Sequence, residues 1–219
     1  MDNLQILERV EAINEEVYEL GEANGNIQIS EDDRAAPLSE DEFSAFEARL
    51  TALSSSLAAL FRDAGDLTFA WTSPIPETPG GVRQIEGALR IPNAPFIFDA
   101  GYWAELAGSS RGKELGNTHG ALFAIDKFSA EWWTVMRPGS ATMWLHEPGT
   151  AHLHDTSLSF DEWFTLGCEV RYFSGWVFAF VPELTGGDEV RSDLEIHVKP
   201  LFASMQLETF DRLRSRRSA

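Results

Sequence analysis

Apolar residues between positions 3 and 20 recur at Ile6, Val10, Ile13, Val17 and Leu20, spaced alternately four and three apart, which makes one stripe of an α-helix. Gly21 and then Asn24-Gly25 end the pattern. At 100° per residue, Glu8, Glu11, Glu15, Glu19 and Glu22 fall together on the opposite face. Carboxylates four apart on a helix repel by roughly 0.2–0.5 kcal/mol, so the row does not serve the helix's own stability. It either solvates that face or receives a basic partner.

The stretch from Ile29 to Leu38, with Glu31, Asp32, Asp33 and Arg34 at its centre and Pro37 near its end, reads as an acidic loop. Ser39 followed by Glu42 makes a capping box, and Phe43, Phe46, Leu50, Leu53, Leu57, Leu60 and Phe61 then repeat at helical spacing up to Gly65. Beyond Gly65 the period becomes extended. Residues 67–71, 82–91 and 95–100 read as strands, the first two separated by the loop SPIPETPGG, and GALFAID at 120–126 reads as another. The runs EWWTVM and ATMWLH flank Arg137-Pro138-Gly139-Ser140, which predicts a hairpin.

Ser159 with Glu162 forms a second capping box, with Leu158 and Trp163 placed as a hydrophobic staple and Phe160, Trp163 and Phe164 on one helical face. The run 170–181 reads as a buried strand or strand pair bent at Gly175. A last helix is expected through Phe202, Met205 and Phe210. Helix first and sheet afterwards is an α+β order. No internal repeat interrupts it, and one domain over 1–219 is expected, with 1–38 an acidic helix and loop and 185–219 a C-terminal extension.

Charge changes the picture more than composition does. With 43% apolar residues the 219-residue chain can form a core, but its net charge is −18, and residues 1–47 alone hold 14 acids against Arg9 and Arg34. Such a surface repels phosphate backbones and anionic lipid and attracts cations, so a basic protein is the expected partner, and nucleic acid and membrane are not. The basic run from Arg212 to Arg217 reads as a solvated end. One cysteine, Cys168, excludes an internal disulfide, and the acidic N-terminal stretch is unlike a signal peptide. A cytoplasmic protein is expected.

Candidate chemistry is sparse. His152 and His154 alternate on an extended stretch near His146 and Asp155, raw material for a transition metal, yet no third ligand follows at a suitable spacing; a surface-loop origin is the simpler reading. Cys168 lies among apolar neighbours as an inert thiol, and the glycines in RGKELGNTHG fit neither phosphate-binding signature, so that segment reads as a loop. Trp132 and Trp133 are adjacent on a predicted strand, so they face opposite ways, either into core on both sheet faces or with one exposed as an interface anchor. No cofactor or catalytic residue is expected.

This order of elements resembles the SUKH superfamily, in its Smi/Knr-type branch. The resemblance is carried by FRDAGDLTFAW, GGVRQIEGALRI, GALFAID, EWWTVMRPGSATMWL and SLSFDEWF, the last similar to the family's hydroxyl-Phe-acid-Trp entry to a helix, and covers roughly residues 40–170. It implies an α+β domain, a mostly antiparallel curved sheet of about six strands flanked by helices, without catalytic residues. Bacterial members act as immunity proteins that bind and block toxins, many of them nucleases, while others are regulatory scaffolds in fungal cell-wall signalling. The expected partner-binding residues are Glu15, Glu19, Glu31, Asp32 and Asp33, with Trp132 or Trp133 as apolar anchor. A scaffold without a toxin, and an enzyme with a metal at His146, His152 and His154, are the alternatives.

Overall fold

The computed structural model describes residues 3–77, 81–100, 110–127, 132–184 and 186–217. The first apolar stripe forms α1 (Asn3–Asn24), with Ile6, Val10, Ile13 and Val17 buried. The stretch expected to be an acidic loop is instead β1 (Gln28–Asp33), antiparallel to β2 (Leu67–Glu77). Almost every β1 side chain is exposed, so no alternation marks it as a strand; its structure comes from pairing with β2.

The helix read across 40–64 is two helices, α2 (Glu40–Leu53) and α3 (Ser55–Asp63). Both halves of the Ser39–Glu42 capping box are present, and the break falls at Ser54, whose extended backbone ends α2 and whose hydroxyl accepts from the Leu57 N–H to start α3. Such self-capping by serine competes with an uninterrupted helix.

β2 runs on through Pro74 and Pro76 to Glu77, beyond the expected end at Trp71, and pairs along its length with β3 (Gly81–Ile91); residues 78–80 lie outside the described part. Leu67, Phe69, Trp71, Ser73 and Ile75 alternate into the core. Residues 95–100 are not a strand: Asn93 Oδ1 accepts from the Phe96 N–H at 2.9 Å and a π-helical turn follows over Phe96–Ala100. RGKELGNTHG is not a loop but α4 (Ser110–His119). Then come β4 (Phe123–Lys127), β5 (Trp133–Met136), β6 (Trp144–His146) and β7 (Leu153–Asp155), including the expected hairpin, whose turn closes through Ser140 N–H to Arg137 O at 3.1 Å.

The sheet expected to be continuous is two antiparallel sheets, β1-β2-β3 and β4-β5-β6-β7. The outer edge of β3 is occupied, which explains the division. Ala88 N–H donates to Tyr172 O and Ser174 N–H to Glu86 O, each at 2.8 Å, and the Arg90 N–H is taken by the buried Asp126 carboxylate at 2.8 Å. β4 therefore meets β3 through a side chain and not through a ladder.

α5 (Phe160–Glu169) starts at its capping box as expected. The run 170–181 is not a strand. Arg171 and Tyr172 adopt positive φ, only Phe173 bridges to Gly87, and after Gly175 in the left-handed region the chain forms a 3-10 helix over Trp176–Phe180. α6 (Gly187–Asp193), a π-helical turn (Leu194–Val198) and α7 (Glu208–Arg217) complete the chain. The last helix starts later than expected, because Phe202 and Met205 sit in turns although both are buried. One apolar core takes in residues from Ile6 to Leu213. A smaller one, of Leu115, Leu122, Ala124, Trp133 and Val135, lies on the other face of the second sheet under α4.

Candidate functional site

α1 is fixed along both flanks. On one, the Tyr18 hydroxyl donates to Asp32 Oδ2 on β1 at 2.5 Å, and Glu11 pairs with Arg34 at 2.7 Å. On the other, Arg9 donates to Thr165 Oγ1 at 3.3 Å, and Glu16 pairs with Arg171 at 2.7 Å. What remains is the outer face. Glu8, Glu15, Glu19 and Glu22 are exposed there, and none has a hydrogen-bond or ion-pair partner among the described residues. From Tyr18, at 100° per residue, Glu22, Glu15, Glu8 and Glu19 follow within about 100° on the side that begins at β1.

The β1 acids differ from one another. Glu31 is held by Arg90 Nε and Nη2 at 2.6 and 3.1 Å, and this two-pronged hydrogen bond keeps its carboxyl below the usual range. Asp32 is engaged by Tyr18, whose pKa this hydrogen bond raises. Asp33 is exposed and unpaired among the described residues. A bulge at Ser30 decides which acid faces α1: Ile29 opposes Trp71, and after the shift Glu31 opposes Ala70 and Asp32 opposes Phe69. The extra residue places Asp32, and not Glu31, on the same sheet face as Ile29.

Between α1 and this sheet face lies a cleft of about 170 Å³, lined by Leu7, Val10, Leu67, Phe69 and Leu89, with Glu11, Asn14, Asp32, Asp33, Arg34 and Thr68 also in its wall. No local pattern in the sequence marks it, since α1 and the sheet face come together across the strand that read as a loop.

The two tryptophans part: one lies in the smaller core, and the other is half-buried against the larger one. Trp133 is buried in the smaller one, and Trp132 packs edge-on against Phe178 with ring centroids 4.8 Å apart. The histidines do not converge. His146 is buried with Nε2 3.2 Å from Thr150 O, His154 Nε2 lies 3.4 Å from Glu147, and His152 is exposed. Among the described residues no group of three His, Cys, Asp or Glu side chains is placed to hold a metal ion. Cys168 is buried beside the Tyr172 hydroxyl at 3.4 Å, and burial pushes its thiol up to about 12. The basic C-terminal run lies on α7 and does not dangle: Arg214 pairs with Asp188 and Arg216 with Glu162.

No family model, curated protein or solved structure matches this chain. Among the described residues no helix is long and apolar enough to cross a membrane.

Proposed function

We propose that this is a binding protein that sequesters a basic protein partner, a toxin or effector of the kind neutralised by the SUKH-type immunity proteins its sequence resembles. The observation that carries the reading is the outer face of α1. Four glutamates stand there without partners among the described residues, on a helix anchored along both flanks. A preorganised row of unneutralised charge speeds encounter with a basic surface and selects against acidic ones. A nuclease must be basic where it holds phosphates, so an acidic inhibitor competes for the same groove. In this reading the protein does no chemistry of its own.

The test is capture of partners from the lysate of its own host by the tagged protein at low and high salt, with the Glu15→Lys, Glu19→Lys variant in parallel. One basic protein, retained in stoichiometric amount at low salt, released at high salt and lost by the variant, is the expected result. Identical captures by the two proteins would overturn the reading.

A further inference from the structure

The cleft beside α1 is a built feature that the exposed glutamates do not explain. Its floor is apolar, from Leu7 and Val10 on the helix and Leu67, Phe69 and Leu89 on the sheet. Its wall includes three acidic residues, Glu11, Asp32 and Asp33, against one cation, and that cation, Arg34, is already engaged by Glu11 at 2.7 Å and by the Asp63 carbonyl at 3.4 Å. Asn14 also lines the cleft. Its Oδ1 is shielded from solvent and has no hydrogen-bond partner among the described residues, although a buried amide oxygen is ordinarily satisfied.

We propose that this cleft takes the side chain of one lysine from the partner, an inference that rests on the sequestering function above. An ammonium on a four-carbon stem matches what the cleft offers. The methylenes lie along Leu7, Val10 and Phe69, as lysine stems do on apolar surface. The ammonium donates to Asp32 and to Asn14 Oδ1, which the soft terminal torsion of the asparagine turns toward the opening. At about 170 Å³ the space is below the roughly 300–1,000 Å³ of pockets for drug-sized ligands, and it suits a single side chain. The exposed glutamates then steer the partner, and the cleft fixes its register.

The probe is Nα-acetyl-lysine N-methylamide, titrated into the ¹⁵N-labelled full chain and followed by amide shifts. The norleucine analogue, which has the stem without the charge, and the arginine analogue are titrated in parallel. Saturable shifts at Leu7, Val10, Asn14, Asp32 and Phe69, at least fivefold weaker with norleucine, are expected. Asp32→Asn and Asn14→Leu should each weaken lysine binding at least threefold while keeping a dispersed spectrum. No saturable shift at these amides, equal binding of norleucine, or tighter binding of arginine than of lysine would each overturn the proposal. The probe contains no partner, so a negative result leaves the capture experiment to decide the sequestering function by itself.

Discussion

The guanidinium of Arg171 meets the carboxylate of Glu16 at 2.7 Å, joining α1 to a turn 155 residues further along the chain. The same side chain donates to the Cys168 and Glu169 carbonyls and to Ser204 Oγ, and the Arg171 carbonyl accepts from the Trp71 indole at 2.8 Å. One residue thus ties the first helix, the end of α5, β2 and the C-terminal segment. This accounts for a positive φ of 55° at a non-glycine, a conformation that persists only where its surroundings over-determine it.

Arg171→Leu should lower stability by about 3 kcal/mol, because it removes the guanidinium that Glu16, Ser204 Oγ and the Cys168 and Glu169 carbonyls share. Glu16→Gln, which keeps an acceptor for the guanidinium, should cost about 1 kcal/mol. Urea unfolding followed by tryptophan fluorescence measures both, and equal losses would show that the carbonyl contacts contribute little.

Gly87 sits where no side chain fits. A Cβ there would lie 2.3 Å from Trp71 Nε1 and 2.5 Å from the Arg171 carbonyl, the two ends of that indole hydrogen bond. Gly87→Ala should therefore destabilise by about 2–3 kcal/mol through overpacking, whereas Gly116→Ala, with open space around it, should not. Thermal melts of the two variants make the comparison.

Burial raises the pKa of Glu169 above its ordinary value, against the lowering effect of a hydrogen bond from Thr209 and the charges of Arg9, Arg212 and Arg171. A raised folded-state pKa means that the folded protein holds this proton after the unfolded chain has lost it, so stability falls as pH rises from the unfolded value through the folded one. Glu169→Gln keeps the shape without the charge. The variant should gain stability relative to the parent as pH rises from about 4.5, and a stability difference that does not vary with pH, in melts from pH 4 to 8, would contradict this.

Reversal of Asp33, Glu15 and Glu19 to lysine should weaken binding of the captured partner at least tenfold, about 1.4 kcal/mol, and leave the melting temperature nearly unchanged. These three have no intramolecular partner among the described residues. Glu31→Lys is a poorer probe, because it also breaks the pair with Arg90. Titration calorimetry at two salt concentrations separates the two cases.

Local signals were legible in the sequence. The α1 stripe, both capping boxes and the Arg137–Ser140 turn depend on neighbours within a few positions, and each stands as read. What needed distant partners was hidden. β1 has too little buried surface to show a period, and 170–181 is apolar throughout, so it carries no periodicity to separate a strand from a 3-10 helix. Of the expected binding residues, Glu15, Glu19 and Asp33 have no partner among the described residues, while the pairing of Glu31 and the cleft at Asp32 emerge only once β1 is placed against α1.

During synthesis, α1 leaves the ribosome long before the residues that hold it. Thr165, Arg171 and Ser204 are among its anchors, so for most of translation its stripe of Ile6, Val10, Ile13 and Val17 lacks its full cover. Exposed apolar stripes on unfinished chains invite aggregation. The carboxylates on the opposite face work against this by keeping nascent chains apart through their mutual repulsion. The helix is completed by docking, and its charge protects the chain until docking is possible.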